Sequence, residues 1–156
     1  MPPERINENP ETILNKINSA IISENYVLAM FLEHSTIESY LGELILINNQ
    51  RDDGRVKEPI TTFKRFTADI LMSLDNILGL IDDKLYQGIK GFNSKRNKFV
   101  HNLIAYDFTE AAVKNEIKRL AKEGLAMCEA ISKIYEDTLL ASFADAEDFS
   151  DEFRGR

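Results

Sequence analysis

Apolar residues recur at steps of three and four along most of this chain, and this spacing predicts α-helices. One stripe follows Pro10 and Glu11, which are typical of a helix start, and a second follows Ser23, a residue type that caps helices. No segment shows the sustained period of two that a half-buried strand requires. No unit recurs at a fixed longer period, which argues against a helical repeat array. The chain is therefore predicted to be an all-α, single-domain bundle.

Interruptions in the apolar pattern divide the chain into about five helices. A polar loop is predicted over residues 48–55, and the next helix starts near Pro59 with an apolar stripe that runs to Leu85. Gly88 and Gly91 predict a break before a shorter helix at about 92–104. Thr109 and Glu110 are predicted to open the last helix.

The C-terminal residues form an acidic segment. Residues 136–153 contain seven acidic and no basic side chains, and the apolar spacing loosens after Leu140. We therefore predict a bundle over residues 1–141 and an acidic, flexible tail over residues 142–156, either disordered or a frayed helix end. Its phenylalanines could dock on a partner or on the basic segment of the same chain. A plain solubilising tail is the expected role, and such docking is the alternative.

Several classes of protein are not expected from this sequence. The single cysteine, Cys128, excludes an internal disulfide and a cysteine-built zinc site, and its apolar helical surroundings indicate a core residue. The carboxylates and histidines do not repeat the Glu-x-x-His pattern of di-metal bundles, and no glycine-rich phosphate loop is present, so no metal or cofactor is expected. No apolar run approaches a membrane span, and the N-terminus lacks a signal-peptide core, so we expect a cytosolic protein without a membrane partner.

The charge of the chain is distributed unevenly. The net charge is −7, which is the wrong sign for a protein that coats nucleic acid. Residues 84–106, however, contain only basic charges, so this segment carries +5 and the remainder −12. The basic residues are Lys84, Lys90, Lys95, Arg96 and Lys98. This pattern favours a confined anionic ligand, and a solvated helix face is the alternative.

Helical geometry places the polar residues of this segment on different sides of one helix. At about 100° per residue, Arg96 falls in the middle of the apolar face, while Asn97 and His101 lie together on its border. Lys95 and Lys98 take the opposite, solvated side. A fixed cation beside a group that titrates near neutrality is what phosphodiester chemistry requires.

Structural explanations for these residues stay open. A desolvated arginine is costly unless it is paired, so Arg96 either extends its charge to solvent or pairs with a carboxylate such as Glu33. His101 is otherwise a boundary histidine bound to a main-chain carbonyl. Glu33 and His34 interrupt the stripe of the second helix and either support Arg96 or His101 or serve a structural role.

The hexapeptide Arg-Asn-Lys-Phe-Val-His at residues 96–101 resembles the Arg-polar-(three or more residues)-His signature of HEPN domains. These are small all-helical modules found in many prokaryotic defence and toxin systems. The preceding segment, Leu-Ile-Asp-Asp-Lys-Leu-Tyr at residues 80–86, looks most like the mannitol operon repressor branch of that superfamily. The resemblance covers roughly residues 20–135.

The resemblance implies a metal-independent endoribonuclease that works as a homodimer, with the two motif helices facing each other across the two-fold axis. By this comparison Arg96 holds the scissile phosphate, and His101 is the general acid or base at the ribose 2′-hydroxyl, leaving a cyclic phosphate and a 5′-hydroxyl. Asn97 orients one of these groups. Lys95 and Lys98 flank the cleft and guide the RNA backbone.

The resemblance also leaves other functions open. Members of the mannitol repressor branch are regarded as regulators, so a non-catalytic regulatory or interaction protein is the first alternative. Nucleotide binding without turnover in the same cleft is the second. No nucleotidyltransferase antitoxin domain lies in this chain, and because such partners are usually separate proteins, a separate antitoxin or regulatory protein is an expected partner.

Overall fold

The computed structural model describes residues 10–53 and 68–154, and its regular structure is helical throughout. The helices are α1 (Pro10–Ile22), α2 (Tyr26–Asp53), α3 (Ala68–Ile77), α4 (Asp83–His101) and α5 (Ala111–Arg154), with a 3₁₀ turn at Leu103–Ala105. No strand occurs within these ranges. The prediction of an all-α bundle with about five helices is confirmed.

Helix α2 is the centre of the bundle, because it packs against α1, α3 and α5. Helix α4 lies against α3 and α5. The large apolar side chains that these contacts bury completely include Ile17, Met30, Ile37, Leu41, Leu44, Met72, Ile89, Phe92 and Ile131. Burying one such side chain is worth about 2 kcal/mol, so this core is the main source of stability.

The single cysteine lies in this core. Cys128 is fully buried, and its Sγ donates a hydrogen bond to the main-chain oxygen of Glu33 at 3.4 Å. Burial raises the pKa of the thiol, which keeps it protonated and therefore a poor nucleophile. The prediction that Cys128 is a core residue is confirmed.

The turn between α1 and α2 differs from the prediction that Ser23 caps α2. The Ser23 hydroxyl donates instead to the carbonyl oxygens of Ser19 and Ala20, at 2.9 and 3.1 Å, and so closes the end of α1. Asn25 is the N-terminal cap of α2, since its Oδ1 accepts a hydrogen bond from the main-chain N–H of Leu28 at 3.3 Å.

The polar loop predicted at residues 48–55 is wrong for the part that the structure describes. Helix α2 continues to Asp53, because polar side chains alone do not end a helix and residues 48–53 contain neither glycine nor proline. The predicted helix start near Pro59 lies outside the described residues, which resume with α3 at Ala68.

The break between the third and fourth helices lies earlier in the chain than the predicted break at Gly88 and Gly91. It falls after Ile77, where Gly79 adopts a positive φ of 71°, and the Asp82 side chain then caps α4 by accepting from the N–H of Leu85 at 2.7 Å. Gly88 lies inside α4, opposite Met127 of α5, so the missing side chain allows close packing there. The motif helix therefore begins at Asp83 rather than near residue 92, and ends at His101 rather than at residue 104.

Helix α5 begins at Ala111, directly after the predicted opening residues. The carbonyl of Glu110 accepts the first helical hydrogen bond, from the N–H of Lys114 at 3.1 Å. The predicted boundary between the bundle and the acidic tail, at residue 141, falls inside α5, whose backbone is helical to Arg154. That residues 142–156 form a flexible tail separate from the bundle stays a prediction. Within the described residues, none of the helices has both the length and the apolar character needed to cross a membrane.

Candidate functional site

The motif residues occupy two faces of α4. Arg96 is half-buried on the face that also buries Phe92 and Phe99, which agrees with the predicted apolar side. Asn97 and His101 are exposed on the neighbouring face, one helical turn apart. The helix thus presents a partly desolvated cation next to an amide and an imidazole that solvent can reach.

The guanidinium of Arg96 lies over the aromatic ring of Phe31 on α2, with 5.3 Å between its Cζ and the ring centroid. Its Nη1 donates a hydrogen bond to Oδ1 of Asn97 at 3.0 Å, while its buried Nε has no partner among the described residues. Burial lowers the pKa of Arg96, and the nearby Glu38 carboxylate opposes this change. The guanidinium remains charged at neutral pH because the ordinary pKa of arginine lies far above neutrality. The ring and the amide therefore hold a charged group in a defined position.

The proposed pairing of Arg96 with Glu33 does not form. Glu33 is fully buried in the core, and neither of its carboxyl oxygens has a hydrogen-bond partner among the described residues. Burial raises the pKa of this carboxyl to about 8, so it is protonated and uncharged at neutral pH. Glu33 is therefore a core residue rather than a counter-ion.

His34 of α2 also reaches the motif helix. Its Nδ1 lies 3.3 Å from Oδ1 of the buried Asn93, and its Nε2 lies 3.4 Å from Oε1 of Glu38. Phe31, His34 and Glu38 are spaced by three and four residues, so they share one side of α2, beside Arg96. Sequence reasoning singled out His34 but missed the contributions of Phe31 and Glu38, although the same spacing connects them.

His101 is the last residue of α4 and is exposed. It lies about 7.5 Å further along the helix axis than Arg96, at 1.5 Å per residue. Within the described part of the chain, no hydrogen bond or ion pair joins the side chain of His101 to another residue. The ring is therefore held by its own helix only.

Lys95 and Lys98 lie on the side of α4 that borders α5. The ammonium of Lys95 forms an ion pair with Glu123 at 2.7 Å. Both lysines line a cleft of about 200 Å³ together with the aromatic rings of Phe99 and Tyr106. Lys95 is thus paired with α5, whereas Lys98 borders the same cleft and also lies one helical turn from His101.

Asn97 belongs to a different groove, between α3 and α4. The residues that line this groove are Met72, Ser73, Tyr86, Lys90, Ser94 and Asn97. Lys90 is the basic residue that lines this groove. Sequence reasoning did not single it out as a site residue, although its spacing of seven residues, or two helical turns, from Asn97 places both on one side of the helix.

Neither a metal site nor a similarity to known proteins assigns a function to these residues. In the part of the chain that is described, no cluster of three or more His, Cys, Asp or Glu side chains is arranged to hold a metal ion. Comparisons with protein-family models, curated proteins and solved structures give no match for this chain, so its function has to be argued from the site itself.

Proposed function

We propose that the chain is a metal-independent endoribonuclease of the HEPN type, whose site forms where two copies of α4 meet in a homodimer. The observation that carries this proposal is the guanidinium of Arg96, which is half-buried over Phe31 and hydrogen-bonded to Asn97. A cation in partly desolvated surroundings binds a phosphate more strongly than one in water, and it needs no rearrangement when charge develops.

The proposed reaction is an internal transesterification of RNA. The ribose 2′-oxygen attacks the adjacent phosphorus, the bond from phosphorus to the 5′-oxygen breaks, and the products are a 2′,3′-cyclic phosphate and a 5′-hydroxyl. Arg96 binds the non-bridging oxygens of the phosphate, and Asn97 fixes the guanidinium. His101 removes the proton from the 2′-hydroxyl or delivers one to the leaving oxygen.

A homodimer supports this chemistry because the reaction needs both a base and an acid. One protomer supplies a single exposed motif histidine, His101, and a two-fold axis between motif helices supplies a second. Apolar groups near the motif are also available for an interface, since Phe31 is 47% exposed and Ile104 is fully exposed. Their burial would further desolvate the Arg96 charge.

Arg96→Ala tests the proposal directly. We expect cleavage of a mixed RNA substrate, assayed in EDTA, to fall at least about 100-fold, because the group that stabilises the transition-state charge is lost. Lys84→Ala is the matched control: it removes one positive charge about 18 Å along the same helix and about 120° around it from Arg96, and should leave the rate within about twofold. Arg96→Ala with the rate of the wild type would contradict the assignment, provided that circular dichroism shows both variants folded.

A non-catalytic regulatory protein is the second candidate. The observation that favours it is the negative charge of the chain, together with the ion pair that neutralises Lys95. In that case the wild type does not cleave RNA, and Arg96→Ala weakens self-association measured by analytical ultracentrifugation. A separate antitoxin or regulatory partner is compatible with both candidates.

A further inference from the structure

One side of α4 carries a continuous polar stripe that ends at the motif. The residues of the stripe are Tyr86, Lys90, Ser94, Asn97 and His101, spaced by three and four. They span about 22 Å along the helix, at 1.5 Å per residue. The part of the stripe from Tyr86 to Asn97 lines the groove between α3 and α4, with Met72 and Ser73 on the other wall.

The charge along this α3–α4 groove has one sign. The ammonium of Lys90 lies 5.8 Å from the ring centroid of Tyr86, and no carboxylate among the described residues forms an ion pair with it. Among the described residues of α4, the carboxylate of Asp83 lies one turn before Tyr86 and accepts a hydrogen bond from Asn76 at 3.0 Å. Lys95 differs in this respect, because the Glu123 carboxylate forms an ion pair with its ammonium at 2.7 Å.

We propose that the α3–α4 groove binds the single-stranded RNA that flanks the scissile phosphate, an inference that rests on the proposed function. Lys90 contacts a backbone phosphate, and Tyr86 offers an aromatic surface to an unpaired base. The hydroxyl of Ser94 and the amide of Asn97 supply the hydrogen-bonding groups between this point and the motif. The strand then reaches Arg96 from one direction only.

The ligand is a single strand because of the chemistry of the groove. Stacking on an aromatic side chain requires a base that is free of its complement. The attacking 2′-oxygen also has to lie in line with the leaving 5′-oxygen, and the regular stacking of a duplex prevents this alignment. Because Glu123 neutralises Lys95, Lys90 is the lysine that offers an unpaired charge to this strand within the groove.

The test measures binding of a short fluorescein-labelled polyuridine strand with 2′-O-methyl riboses, which cannot be cleaved. Lys90→Ala should weaken binding about tenfold and reduce the slope of log affinity against log salt by about 0.7, the value for one phosphate of a single strand. Lys90→Arg should retain most of the affinity, and Lys84→Ala, about 120° around α4 from Lys90 and outside the groove, should remain within about twofold of the wild type.

Binding by Lys90→Ala that equals the wild type would overturn the inference. Weaker binding by Lys95→Ala or Lys98→Ala, with Lys90→Ala unaffected, would place the strand against α5 instead. RNA cleavage measured in parallel separates the groove proposal from the ribonuclease proposal. If the wild type cleaves RNA and Lys90→Ala has the same KM, RNA binding in the groove is contradicted while the ribonuclease activity is retained. A wild type that neither binds nor cleaves removes both.

Discussion

Gly124→Ala should lower the free energy of unfolding by about 3 kcal/mol, the upper part of the range for an overpacked core. A Cβ at this position would lie 2.6 Å from Cδ of Glu33 and 2.6 Å from Cε2 of Phe92. Both side chains are buried, so neither can move out into solvent to make room. The change is measured by urea unfolding followed by far-UV circular dichroism.

Gly91→Ala is the matched control for this substitution. Gly91 also lies inside a helix, α4, but its added Cβ would meet no atom within 4 Å. The exchange should therefore stabilise the protein by up to about 1 kcal/mol through helix propensity. If Gly124→Ala were as stable as Gly91→Ala, the packing of α5 against Glu33 and Phe92 would be wrong.

The free energy of unfolding should decrease as the pH rises from about 5 to about 8, with the largest contributions from Glu33 and Asp75. Both carboxyls are fully buried without hydrogen-bond partners among the described residues, and burial raises both pKa values to about 8. The folded protein therefore keeps two protons that the unfolded chain releases near its ordinary carboxyl pKa values of 4.5 and 3.8. Each carboxyl then contributes a loss of about 1.4 kcal/mol per pH unit in this window.

Glu33→Gln isolates one of these two groups. The amide stays neutral in both states, so the slope of unfolding free energy against pH should become shallower by about 1.4 kcal/mol per pH unit. Glu129→Gln, at an exposed position of α5, should leave the slope unchanged. Stability that rises with pH between 5 and 8 in the wild type would contradict a protonated Glu33, and urea unfolding at each pH decides the question.

The number and type of the helices follow from the three- and four-residue spacing, but their ends do not. The apolar run Leu78-Gly79-Leu80-Ile81 continues the stripe of α3, which conceals the break at Gly79. Gly88 and Gly91 suggest a break instead, although each costs a helix only about 1 kcal/mol. Contact between α4 and Met127 favours the continuous helix, and this contact is not visible in a local pattern.

The candidate site could be predicted in part. Helical geometry alone placed Arg96 on the apolar side of α4 and Asn97 beside it. Glu33 and His34 differ by only 100° around α2, so the sequence could not determine which one enters the core and which one faces α4. The summed charge of residues 84–106 likewise did not separate Lys90 from the two lysines that face α5.

Cleavage of a mixed RNA substrate in EDTA, by the wild type and by His101→Ala, tests the central claim most directly. We expect the wild type to produce 2′,3′-cyclic phosphate ends and His101→Ala to lose at least about 100-fold in rate, the contribution of a general acid or base. The variant should remain folded because His101 is exposed and its side chain forms no hydrogen bond or ion pair with the described residues. Equal cleavage by both proteins, or no cleavage by either, would contradict the ribonuclease assignment.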